Sequence, residues 1–103
     1  MNKTSTWDTA EFLETQEDIY AYLEIAFATE DPKQITKALG NVARAEGMMK
    51  IANKTGIARE QLYASFSEHG NPTLQTFNTL VNSLGYRLSV LPRQENQGTF
   101  LSM

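Results

Sequence analysis

Cysteine is absent from this 103-residue chain, and histidine occurs once, at His69. Without cysteine no disulfide framework can form, which suits a reducing compartment such as the cytoplasm. A single histidine with no thiol beside it supplies no zinc-ligand set, so no metal and no cofactor is expected. Long apolar runs are missing as well. The N-terminal MNKTSTWDTAEF has no apolar core of signal-peptide length, and no later stretch is long enough to span a bilayer. The expectation is a soluble, cytoplasmic protein with no membrane contact.

Catalytic constellations are equally scarce. There is no glycine-rich loop to cradle a phosphate. Ser65, Ser67 and His69 lie close together, but a nucleophile–base pair needs a third orienting group and an oxyanion site. Glu11, Glu14, Glu17 and Asp18 form a carboxylate cluster, yet nothing in the sequence sets one apart from another for acid–base work. The chain is expected not to be an enzyme.

Basic residues are outnumbered nine to twelve, a net charge of −3 that argues against a nonspecific nucleic-acid coat. The distribution is more telling than the total. Residues 1–31 sum to −7, residues 32–66 to +4, and the remainder to zero. An acidic arm joined to a basic middle suggests two partners of opposite charge. Charge alone is equally compatible with two solvated faces.

Local signals divide the middle of the chain into five helices. Thr15 followed by Asp18 reads as a capping box. Behind it, Ile19, Leu23, Ala26 and Phe27 recur at helical spacing, predicting a first helix over roughly 16–29. Asp31-Pro32 is a second start signal, an acidic cap followed by proline where a missing N–H costs nothing. Ile35, Ala38, Leu39, Val42 and Ala43 form the next apolar stripe, which Gly47 ends. Met48, Ile51 and Ala52 mark a short third helix, and Leu62 and Phe66 a fourth over about 58–66. Thr73 then caps a fifth, whose expected buried face is Leu74, Phe77, Leu80, Val81 and Leu84. Past Gly85 the period changes to two. Tyr86, Leu88 and Val90 alternate with Arg87, Ser89 and Leu91, predicting one β-strand that pairs with a second copy or a partner, with packing as an isolated extended segment as the alternative. The organisation expected is an acidic N-terminal arm over 1–15, a domain over 16–92 and a flexible tail over 93–103.

The stretch MMKIANKTGIAREQLYASF, residues 48–66, holds two short helical patterns hinged at Gly56-Ile57. That is the form of a helix-turn-helix unit. Gly56 can take positive φ and turn the chain without strain. Ala52 is small where the helices cross, Ile57 fills the angle between them, and Leu62 and Phe66 anchor the second helix. With those two inward, Glu60, Tyr63, Ala64 and Ser67 fall on the outer side. Arg59 sits near the second helix's start, where recognition helices meet base edges, and Lys50 and Lys54 are placed to meet phosphates.

The run GMMKIANKTGIAREQLYASFSEHGNPTLQTFNTLVNSLGYRLSV, preceded by EDIYAYLEIAFATEDPKQITKALGNVARAEG, resembles the addiction-module antidote family, Xre-type antitoxins related to the HigA-like group. The resemblance spans about residues 7–92 and is most specific in A-x-x-x-G-I-x-R-x-x-L-Y, the GNP turn and the LGYRLSV ending. It implies an all-α, five-helix, λ-repressor-like fold with one short C-terminal strand. It also implies a homodimer that binds double-stranded operator DNA, represses its own operon and silences a small basic toxin of the RelE/ParE type. The positions matching the family's DNA contacts are Arg59, Glu60, Tyr63 and Ala64, with Ser67 near the backbone. Trp7 and Phe12 in the acidic arm, and Tyr86, Leu88 and Val90, are candidate partner contacts. Departures exist: Ala58 stands where a Ser or Thr cap is common, Ala64 where a base is frequent, and Met49 where a polar residue is frequent. Fewer phosphate donors imply weaker binding and a shallower salt dependence. A stand-alone prophage-type repressor and an interaction module that has lost DNA binding are the alternative readings.

Overall fold

The computed structural model describes residues 14–93. Most of the expected arm and tail, with Trp7 and Phe12, therefore lies outside the described residues. Within them the chain forms α1 (Gln16–Ala28), α2 (Pro32–Glu46), α3 (Met48–Thr55), α4 (Arg59–Ser65) and α5 (Leu74–Ser83).

The start signals act as read. Thr15 Oγ1 accepts from the Asp18 amide at 3.0 Å while the Asp18 carboxylate accepts from the Thr15 amide at 3.3 Å, closing the capping box. Asp31 accepts from the Lys33 amide at 3.0 Å, and Pro32 opens α2. The turn between α1 and α2 places Glu30 at φ 58, a left-handed conformation unusual for a side chain of its size. At Thr73 the hydroxyl accepts from the Thr76 amide at 3.1 Å and starts α5.

The core joins all five helices: Ile19 and Leu23 from α1, Leu39 and Val42 from α2, Ile51 from α3, Leu62 from α4 and Leu80 from α5 are buried. Phe66, just past α4, is wholly buried and its ring lies 6.5 Å from that of Phe77. Phe77 in turn meets Phe27 edge-on at 6.3 Å, so one aromatic chain links the end of α4 to α5 and α1. Gly40, buried mid-way along α2, makes that arrangement possible. A Cβ there would lie against the Phe66 carbonyl, closer than real side chains come, and 3.2 Å from the Phe66 Cβ. The sequence pattern alone marks Gly40 as nothing more than a weak helix residue.

Two expectations need correcting. No strand exists among the described residues. Residues 86–93 form a strap without regular secondary structure instead, because a lone segment has no ladder partner among the described residues and packs through its side chains. The Tyr86 ring stacks on Tyr20 of α1 at 6.2 Å, and Arg93 pairs with Glu30 at 2.9 Å. The strap thus follows α1 for much of its length. Leu74, expected in the buried face of α5, is 74% exposed at the helix's first residue, and the packed face begins only at Phe77.

Alanine ordinarily stabilises a helix interior by about 1 kcal/mol over glycine. Gly40→Ala should instead destabilise by about 1–3 kcal/mol, because the methyl overpacks the α2–Phe66 contact. A lowered urea midpoint at unchanged slope is the expected reading, and a midpoint at or above the parent's would refute the close approach. The strap generates a second expectation. Burial, the nearby Glu46 carboxylate and Tyr20 raise the Tyr86 phenol above its ordinary 10.0. The folded chain then holds this proton more tightly than the unfolded one. The group leaves stability unchanged below pH of about 10 and lowers it as pH climbs past that value. Tyr86→Phe should flatten the alkaline loss in thermal melts; parallel alkaline slopes for the two proteins would contradict it.

Candidate functional site

Residues 55–59 set the geometry of the site. The Gly56 amide donates to the Ala52 carbonyl at 2.9 Å and the residue takes φ 80, ending α3 in a left-handed turn. Thr55 then ties the turn on both sides. Its hydroxyl donates to the Ile51 carbonyl at 2.9 Å and accepts from the Ile57 amide at 3.1 Å. Thr55 was not among the residues that the sequence singles out; a hydroxyl four residues after a helical carbonyl is the signal that marks it. Half-buried Ile57 and Ala52 fill the angle between the helices.

Helix α4 begins without a side-chain cap, since Ala58 offers no acceptor. Its inner residue Leu62 and the following Phe66 are wholly buried. Arg59, Glu60, Ala64 and Ser67 are exposed, as is Tyr63 at 45%, so the structure brings these five to one uncovered side. Ser67 Oγ donates to the Ala64 carbonyl at 3.0 Å, which closes the end of the helix.

The two candidate phosphate-binding lysines lie on α3 and have partners within the chain. Lys54 Nζ donates to the Ser83 carbonyl at 2.7 Å, serving the C-terminal end of α5. Lys50, largely in water, lies 3.6 Å from half-buried Glu46 one turn earlier, a pair worth under about 1 kcal/mol. His69 is exposed in the loop after α4. Among the described residues no group of three or more His, Asp or Glu side chains is placed to hold a metal ion. No described helix is long and apolar enough to cross a membrane.

Tyr86, Leu88 and Val90, the candidate partner contacts, belong to the strap. Tyr86 is half-buried, Leu88 is partly open, and Val90 is 91% exposed. Between the strap and α1 lies an apolar groove of about 270 Å³, floored by Leu23, Phe27, Leu39 and Val81. Tyr20 and Glu24 form its α1 wall, and Leu88 and Leu91 its strap wall. The groove was not foreseen, because its walls come from segments some seventy residues apart.

Comparison with known proteins identifies the chain. A family model described as "Probable addiction module antidote protein" matches residues 3–92. An uncharacterized protein of Haemophilus influenzae (strain Rd) is 38% identical over 84 residues, covering 82% of this chain and 87% of that protein. No solved structure matches it. With the family match extending over both the α3–α4 pair and the strap, the chain belongs to the addiction-module antidote protein family.

Proposed function

We propose that this chain is the antitoxin of a type II toxin–antitoxin module, a cytoplasmic binding protein without catalytic activity. In this reading it is a HigA-like, Xre-type repressor that binds operator DNA as a homodimer and neutralises a RelE/ParE-type RNase toxin. Membership of an antidote family supports the antitoxin role. The uncovered side of α4 supports the DNA role: a short helix held by Leu62 and Phe66 carries Arg59, Glu60 and Tyr63 outward beside a tight glycine turn. That is the form of a helix-turn-helix, with α3 bracing the backbone and α4 entering the major groove. In a dimer the two α4 helices would meet half-sites roughly 34–36 Å apart.

The second reading, an interaction module that has lost DNA, draws on a specific observation. Lys50 and Lys54 both have partners within the chain, and α4 lacks its cap. Lys50 can leave its weak pair for a phosphate at little cost. Lys54 would give up a contact to a helix end, so Arg59 carries more of the DNA energy than in a more basic homologue.

Arg59→Ala should weaken binding to the chain's own promoter by about 1–3 kcal/mol and relax discrimination at one base pair, if the guanidinium reads a guanine. Gel shifts at low salt, with operator and random duplexes in parallel, check this. Unchanged discrimination removes Arg59 from the site. Absence of any shift by the parent protein, alone or with its co-expressed adjacent gene product, leaves the interaction module standing.

A further inference from the structure

The outer face of α1 differs in kind from the rest of the surface. Glu17, Ala21, Glu24 and Ala28 follow one another at four- and three-residue steps, with Tyr20 between the first two, and all five are exposed, forming a single stripe. Ile25 stands beside it at 70% exposure. From Glu14 to Asp31 there are six carboxylates and no base. Asp18 and Asp31 serve as caps and Glu30 holds Arg93, whereas Glu17 and Glu24 have no ion pair among the described residues. Glu24 also borders the apolar groove, whose far wall ends at Leu91, 84% exposed. Of the charged side chains, Glu24 of α1 and Arg87 of the strap line the slot, while Glu17 stands further along the α1 stripe.

Charge selects the occupant. DNA carries the same sign as this face and is repelled by it. A second copy seated symmetrically would set the Glu17–Glu24 stripe of one chain against the same stripe of the other, an unfavourable like-charge contact. The chain's own N-terminal arm offers Asp8 and Glu11 against Lys3 alone, again the same sign. A cationic protein meets one like charge at the groove, Arg87, against the two carboxylates of the stripe, and so is the occupant that the face's charge favours. We infer that the α1 face and the strap form the toxin-docking surface, on which a basic partner seats an apolar side chain in the groove and surrounds Glu17 and Glu24 with lysine or arginine. The inference rests on the antitoxin reading and names the surface that reading requires. It also places the toxin on α1 rather than on the exposed side of α4, so toxin and DNA contacts use separate parts of the chain.

The test is co-purification and equilibrium binding with the tagged product of the reading frame adjacent to this chain's gene. Two variants carry it: Glu17→Gln with Glu24→Lys, and Leu91→Asp at the open rim. The expected result is at least about a tenfold loss of affinity for each, with a diminished salt dependence for the charge variant. Circular dichroism melts matching the parent's would show that the fold survives. Parental affinity in both variants overturns the docking surface and leaves the antitoxin reading intact. Failure of the parent itself to bind the adjacent product overturns the antitoxin reading and this surface with it. Two further outcomes assign the face elsewhere and overturn the inference: a change in the variants' oligomeric mass without toxin, which makes it a self-interface, or a shift in Trp7 emission in Leu91→Asp, which makes it the seat of the chain's own arm.

Discussion

The close passage of the Phe66 backbone over Gly40 determines where α4 can sit. Helices of ordinary composition pack with axes 8–10 Å apart, separated by their side chains. Here the segment leaving α4 comes nearer than that to α2, because one position on α2 has no Cβ. The buried Phe66 ring then reaches Phe77, and through it Phe27, so α4 is referenced to α2, α5 and α1 at once. A seven-residue helix has no stability of its own in water. Its position is therefore a property of the core, and the exposed side chains of α4 are held as firmly as Leu62 and Phe66 hold them.

That dependence explains which features were legible in the sequence. Caps and turns are short-range, so Thr15 with Asp18, Asp31 with Pro32, Thr73 and the left-handed Gly56 were all readable from neighbouring residues. Apolar periodicity found the inner faces of α1, α2 and α4, and with them the outward side of α4. Contacts between distant segments carry no local signal. Gly40 looks like a defect until Phe66 is placed on it. Lys54 looks like a phosphate ligand until the end of α5 arrives beside it. Leu74 satisfies the period of α5 but precedes the turn at which neighbouring helices begin to cover it.

The strap shows the same limit from the other side. Alternation in Tyr86-Arg87-Leu88-Ser89-Val90 is a local pattern, and it predicts a strand that does not form among the described residues. Whether such a segment forms a ladder is decided by what lies next to it, and here α1 does. A helix exposes no free amide row for a strand to pair with, so the strap is held by side chains: an aromatic stack at one end and an ion pair at the other. Such an attachment is weaker than a sheet edge. It leaves Val90 and Leu91 facing water and the groove open between strap and helix.

Charge separation along the chain acquires a spatial meaning from this arrangement. The described part of the acidic segment is mostly α1, whose inner face builds the core and whose outer face keeps Glu17 and Glu24 in water. The basic segment becomes α2 to α4, where Lys50 and Lys54 have partners and Arg59 forms no ion pair among the described residues. On the reading proposed here, the two partners do not compete for one surface. A cationic toxin on α1 would cancel carboxylates that otherwise repel the operator at long range, and would add its own positive charge to the complex. Both effects favour association with a polyanion. A repressor with few phosphate donors of its own would thus bind DNA better with its toxin than alone, through electrostatics, without any change in the conformation of α4.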